Sequence, residues 1–454
     1  EDTGTPALAM DIRYIDSELF GVDLERRLDN GMTLTARAGF NEVDHLMDNF
    51  SLRTPPATPM RNRQNLTYGR GAMFDLSADW SGDEYSLVGG IDGRYANHDS
   101  RISNPANANF FIQNFNDIRR DVTSAFGIVR RNGADSDWEL GLRYTHVAAN
   151  ADPVSFGGMM GMMATQAGML ADAFNTSDRS RQFDSVDIVA KYVRPLGDTL
   201  SLGIDVGSKA RAPSYQELYL WLPLQATGGL ADGRSYVGNL DLDVERSNEI
   251  TLGLEWATSR FGFSPQVFYR RVDDYIQGVP AASTAANALA TMMTGSAALM
   301  FDNVDAEIYG FDAGWRYALT EVVAFSGSAS YTRGRRTDVD DNLYRLPPPN
   351  AMLALDATLQ GWAARAEVVA YARQDKVSAF NEEMETPGYA VVNAQVSWQP
   401  VPSWRVDFRA TNLFDRGYQD HLAGINRVRD VDIPVGERLY GAGRSFTVGA
   451  VFSF

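Results

Sequence analysis

The sequence predicts an all-β fold, a transmembrane antiparallel β-barrel. Three observations carry that prediction. The last eleven residues, Arg444 to Phe454, alternate without a break: Phe446, Val448, Ala450, Phe452 and Phe454 share one face, while Ser445, Thr447, Gly449 and Ser453 fall mostly on the other. Successive strand side chains point to opposite faces, so one wall is greasy and the other small or polar. The pattern recurs to give seventeen segments, many near ten residues or longer, about the length that crosses a bilayer at a tilt. Short and long connections alternate between the segments, as tight periplasmic turns and long extracellular loops do in bacterial barrels.

In chain order the segments form hairpins. Ile15 to Leu28 and Met32 to Met47 turn at Asp29-Asn30-Gly31. Thr67 to Trp80 and Glu84 to Ala96 turn at Ser81-Gly82-Asp83; Asp121 to Arg131 and Asp137 to Ala148 turn at Asn132-Gly133-Ala134. Gln182 to Arg194 and Thr199 to Arg211 meet at Gly197-Asp198; Val244 to Trp256 and Phe261 to Tyr275 meet at Ala257-Thr258-Ser259. Val304 to Tyr317 and Glu321 to Arg333 follow, joined at Leu319-Thr320. Asn350 to Leu359 and Trp362 to Gln374 turn at Gln360-Gly361. Tyr389 to Trp398 and Trp404 to Phe414 turn at Pro400-Val401-Pro402, and Arg444 to Phe454 stands last. Gly, Asn and Asp suit such tight turns. The long loops span roughly 48–66, 97–120, 149–181, 212–243, 276–303, 334–349, 375–388 and 415–443. Trp80, Trp256, Trp362, Trp398 and Trp404 lie at or near strand ends, where a membrane interface favours aromatic rings with a wet polar tip. No composition break divides residues 1–454, so one domain is expected.

Composition narrows the function. Hydrophobic residues make up 44% of the 454, with no apolar run long enough for a transmembrane helix. Cysteine is absent, which removes disulfides, zinc-thiolate sites and thiol catalysis. A formal charge of −17 argues against nucleic acid or an anionic surface as a partner and suits the attraction of cations. Gly-x-Ser-x-Gly elbows, phosphate loops and His-Glu-x-x-His helices are all missing. Four scattered histidines offer no nucleophile-base set, so an enzyme is not expected. Direction adds an expectation. With short turns periplasmic, the first and last strands both run downward. A single-chain barrel with both ends inside needs an even strand number. Seventeen is odd, so an N-terminal part of the barrel is expected outside this sequence.

The second half carries specific words. Arg211-Ala212-Pro213-Ser214-Tyr215-Gln216-Glu217-Leu218 resembles the RAPS-x-x-E-L box of TonB-dependent receptors. Gly238-Asn239-Leu240-Asp241-Leu242 with Glu245, Ser247 and Glu249 resembles their GN-x-x-L-x-x-E-x-S segment, and Asn412-Leu413-Phe414-Asp415-Arg416-Gly417-Tyr418 their NLFD-x-x-Y. That resemblance implies a 22-stranded barrel of the Gram-negative outer membrane, with an N-terminal plug and energy delivered through TonB of the inner membrane. The segments here would be strands 6 to 22, without the plug. Asp44 to Arg53, Tyr219 to Gln225 and Gly228-Gly229 resemble the TonB-dependent copper receptors within that family. In that group a His-x-Met pair on the barrel binds copper, with Cys and Met of the plug as further ligands; His45 and Met47 match the pair.

Chemistry can be weighed beside the resemblance. Counting by twos, His45 and Met47 share the polar, lumen-facing side of their strand with Thr33, Thr35, Arg37 and Asn41. Thioether prefers Cu(I), and imidazole accepts copper in either state. Two ligands are too few for a tight site; a loop-base histidine beside a packing methionine is the plain alternative. Met159, Met160, Met162 and Met163 lie in the loop 149–181, followed by Met169; Met60, Met292, Met293, Met300 and Met384 lie in other loops. Methionine usually fills cores. In Gly-rich loops with little core to fill, capture of a soft metal competes with packing on the plug. His98, His146 and His421 read as lumen or loop residues. Asp44 and Asp48 offer either an acidic approach or a solvated loop. Asp241, Asp243, Asp340 and Asp341 read as hydrated loop carboxylates rather than a Ca²⁺ site. The expected function is import of copper as substrate, with siderophore or other metal-chelate uptake as the alternative.

Overall fold

The computed structural model describes residues 9–225 and 232–453; Gly228, Gly229 and the terminal Phe454 lie outside the described residues. Seventeen long strands make the barrel wall. They are β1 Asp11–Arg27, β2 Met32–Asp48, β3 Gln64–Ser81, β4 Tyr85–Ser103, β5 Phe111–Asn132, β6 Asp137–Asn150, β7 Arg181–Pro195 and β8 Leu200–Arg211. Then follow β9 Glu245–Ala257, β10 Phe261–Pro280, β11 Leu299–Ala318, β12 Val323–Arg336, β13 Asn350–Leu359, β14 Trp362–Tyr371, β15 Tyr389–Val401, β16 Trp404–Thr411 and β17 Ser445–Phe452. Each pairs antiparallel with the next. β1 and β17 both run toward the short-turn end, and among the described residues no ladder joins them.

Register separates the two walls. Phe446, Val448, Ala450 and Phe452 stand beside Ala410, Phe408, Val406 and Trp404 on the outward face. Followed strand by strand, that face carries Val396, Val368, Leu353, Phe311, Val267 and Leu252. Trp80, Trp256, Trp362, Trp398 and Trp404 all lie outward at the short-turn end, with Trp362 stacked on Trp398 at 5.6 Å. The inner wall is polar and ion-paired. Arg143 reaches Asp92 at 2.7 Å, and Arg365 reaches both Asp356 and Glu367 at 2.9 Å.

The strands overrun the bilayer on part of the circumference. β5 has 22 residues and β10 and β11 have 20 each. At about 3.3 Å per residue, 22 residues reach roughly 70 Å, against about 30 Å of hydrocarbon. Much of the expected loop 97–120 and both ends of the expected loop 276–303 are therefore strand, and Met300 is in β11 rather than a loop. Outward residues up there face water, so the greasy alternation that marks a membrane strand fades although pairing continues.

The outer end also holds helices and an apolar core. α1 spans Gly161–Thr176, α2 Tyr215–Tyr219 and α3 Thr284–Thr294. Arg179 donates to the carbonyls of Phe174, Asn175 and Ser177, satisfying the open end of α1. α3 begins on the Ser283 hydroxyl, which accepts from Ala286 N–H, and ends at Gly295 with φ 85°. α1 packs on α3. Alanines at 167 and 171 of α1 and at 285, 286 and 290 of α3 are buried. Beneath the helices, Ile102, Phe110, Phe115, Phe174, Tyr219 and Leu222 belong to one buried cluster.

Candidate metal centre

β2 carries the His-x-Met pair to the outer end of the lumen. His45 stands between Ile15 of β1 and Thr67 of β3; Met47 stands between Ile12 and Asn65. Both share the inner face with Arg37 and Thr35, whose register neighbours are Asp75 and Ser77. The alternation read from sequence therefore places them correctly. Both are half-buried. The Nε2 of His45 is buried and has no hydrogen-bond partner among the described residues. An unpaired buried ring nitrogen beside a thioether is a fitting pair of donors for a soft metal ion.

The end of β2 is fixed by carboxylates that do not join this pair. Asp48 accepts from Phe50 N–H at 3.0 Å, Ser51 N–H at 2.7 Å and the Ser51 hydroxyl at 2.6 Å, and its side chain is 1% exposed. Arg53 grips Asp11 through two bonds of 2.5 Å, tying the loop to β1. Asp44 points outward, beside Tyr68. Neither Asp44 nor Asp48 thus forms an acidic approach on the lumen side: one is on the opposite face, the other buried and saturated.

Other inner-wall groups stand at the same height. Asn65, Thr67 and Ser100 form a hydrogen-bonded polar strip. His98 faces Gly69 across the β3–β4 ladder, on the same wall as His45 but two strands away. Its ring lies 4.8 Å from Tyr215 of α2 and 5.6 Å from Phe115. Counting by twos along β4 from Asp92 would have found it. His146 corrects an expectation. It is on the outward face, with its Nδ1 2.8 Å from Asp184 and Tyr144 donating to the same carboxylate. His421 is a loop residue, buried between Thr386 and Glu383 at 3.0 Å each.

The methionine segment does not form one cluster. Met160 caps α1 in an extended conformation and is 85% exposed; Met162 is 65% exposed. Met159, which precedes the helix, and Met163, in its first turn, pack against the apolar cluster. Ile102 of that cluster sits in the same row as Met47 across Asn65. The expectation of a loop with little core to fill is thus overturned. The segment opens a helix that lies on a core, and two of its four sulfurs serve that packing. Among the described residues, no three His, Asp or Glu side chains come together as a metal-binding group. Asp341 is instead a loop cap, accepting from the Ser378 hydroxyl and the Ala379 N–H at 2.7 Å each.

The sequence words have structural meanings. Arg211 bridges Glu217 at 2.9 Å and Glu245 at 2.5 Å, and Ser214 with Glu217 forms a capping box on α2. Gly238 passes so close to Leu218 that a Cβ would lie 2.7 Å from its carbonyl oxygen. Asn412, at φ 48°, accepts from Arg416 N–H and donates to the Arg416 and Ala442 carbonyls, turning the chain out of β16.

Comparison with known proteins agrees with this geometry. The family described as TonB dependent receptor-like, beta-barrel matches residues 2–413. The Heme/hemopexin utilization protein C of Haemophilus influenzae is 26% identical over 266 residues, covering 54% of this chain and 35% of that protein. Among solved structures, the copper transporter OprC superposes with a TM-score of 0.81 at 21% identity, covering 98% of this chain and 66% of its own. The ferric yersiniabactin uptake receptor FyuA from Yersinia pestis gives 0.68 at 14% identity, covering 97% and 61%. The chain thus spans about a third of the curated relative and just under two thirds of OprC. At these identities the structural likeness is one of fold.

Proposed function

Because the chain belongs to the TonB-dependent receptor β-barrel family of the Gram-negative outer membrane, we propose that it forms the barrel of a receptor that imports copper ions. His45 and Met47 are its soft-metal ligands on the lumen wall. The observation that carries this reading is the inward, half-buried pair with an unpartnered His45 Nε2. The likeness in fold to a copper transporter supports it. Copper, most readily as Cu(I), is the substrate; Met159, Met160, Met162 and Met163 are further thioethers at the mouth, the two exposed ones best placed for first capture. Energy would come through TonB. The test is Cu(I) titration of the whole receptor against a competing chelator, with His45→Ala and Met47→Leu beside wild type. Equal affinity in all three sinks the assignment.

A second reading, uptake of a metal chelate, is favoured by a different observation. Among the described residues, all three guanidinium nitrogens of Arg427 in the loop after β16 are buried without partners, and so is Nε of Arg234. Such donors suit the oxyanions of a chelate rather than a bare cation. Binding of a ferric chelate that is lost in Arg427→Gln, with no Cu(I)-specific binding, would establish this reading instead.

A further inference from the structure

The outward face of β10, β11 and β12 holds a basic row directly above the last aromatic row. Tyr269, Tyr309 and Tyr331 are the uppermost outward aromatics there, and Phe311 stacks on Tyr331 at 6.0 Å. Rings with a polar tip mark the edge of the hydrocarbon. Two residues farther along their strands stand Arg271 and Arg333, and two farther again Arg335. Register keeps them together: Arg333 stands beside Tyr309, and Arg271 and Arg335 flank Glu307. Arg271 and Arg335 keep 68% and 58% of their side-chain surface, although Asp273 and Glu307 lie near them. The Arg271–Asp273 pair is exposed at both ends and contributes little. Glu307 is 15% exposed and holds Arg335 through Nε, and among the described residues the terminal nitrogens of both arginines make no hydrogen bond. Arg333 has no ion-pair or hydrogen-bond partner among the described residues.

The rest of the collar is different. Above the corresponding row on β2 to β7, the outward charges are chiefly acids: Glu42, Asp44, Asp99, Asp121 and Asp184, with Arg70, Arg101 and Arg119 among them. In a chain of net charge −17, the arginines of β10 and β12 stand together around a single acid, Glu307, where lipid headgroups begin, whereas Arg70, Arg101 and Arg119 are dispersed among acids.

We infer that Arg271, Arg333 and Arg335 form a docking site for the phosphate groups of an outer-leaflet glycolipid, whose acyl chains lie on the apolar wall below. Guanidinium is suited to phosphate through paired N–H donors, and basic residues at a membrane surface attract anionic headgroups. Asp273, Asp274 and Asp305 stand farther out along β10 and β11, so the favourable position for phosphate is the arginine row itself.

The inference is independent of what the receptor imports. Its test is binding of diphosphoryl lipid A, and of the same lipid with both phosphates removed, to the full receptor in detergent, read by native mass spectrometry. Wild type is expected to retain the phosphorylated lipid at least tenfold more tightly, with the preference falling as salt rises. The Arg333→Gln variant is expected to lose about fivefold and the triple Arg271→Gln, Arg333→Gln, Arg335→Gln variant on the order of a hundredfold. Arg70→Gln with Arg119→Gln is expected to stay within about twofold. Replacing Arg333 breaks no side-chain hydrogen bond or ion pair among the described residues, so that single variant remains readable if the triple one does not fold. Equal binding of the two lipids, or a wild-type affinity in the Arg333→Gln and triple variants, overturns the site.

Discussion

His45 and Met47 depend on different properties of one short segment. Imidazole must be neutral to ligate, so copper affinity is expected to fall as pH drops and the His45 ring takes up a proton. The same titration on Met47→Leu should keep that pH dependence but begin from an affinity at least about tenfold weaker. Arg211 is a second single-residue test. Glu217 and Glu245 are only 15% and 11% exposed and share this one guanidinium. Arg211→Met leaves both largely buried carboxylates without their cation and should cost about 2–3 kcal/mol, below the range for a fully buried pair because Arg211 itself is partly exposed. Thermal unfolding of the purified barrel reads the loss.

At the scale of elements, legibility in the sequence followed what each segment faces. Strands between lipid and a wet lumen must alternate, so all seventeen could be read, including the inward face of His45. Above the bilayer both faces of β4, β5, β10 and β11 meet water or loop core, and their upper halves read as loops. α1 and α3 were missed for a related reason. Their buried faces are largely alanine, which gives little contrast with Thr and Met on the exposed faces, so no helical stripe stands out. Hence the methionine run looked like a flexible loop, and its division into two packed and two exposed sulfurs was out of reach. That division gives a test. Met159→Leu with Met163→Leu keeps volume and should cost under about 1.5 kcal/mol. Met160→Leu with Met162→Leu should leave stability unchanged and slow copper uptake at low external copper. Equal uptake rates in wild type and the exposed pair would remove the capture role.

For the whole molecule, the greasy wall is a continuous belt and its energetics depend on depth. Val267 is outward, 52% exposed in the isolated chain and midway between the Trp256 and Arg271 levels. Val267→Arg is expected to cost about 2–4 kcal/mol, measured as folding into lipid bilayers, whereas Asn248→Arg near the rim should cost about 0–1 kcal/mol. If both variants insert equally well, the belt has been placed at the wrong height.

The alanine contact between α1 and α3 has a mechanical consequence. Apart from Leu170 and Leu289, its buried side chains are mostly alanine, so few side chains interlock along the seam. On the neighbouring side of the mouth, Arg211 rivets α2 to β8 and β9. The rim is therefore expected to be stiff along β8–β9 and free to shear along the α1–α3 seam, so amides of α1 and α3 should exchange with solvent far sooner than those of α2. Filling the seam with Ala290→Leu would act as a wedge, costing about 1–3 kcal/mol and changing the rate at which the mouth admits substrate while leaving the lumen wall as it was.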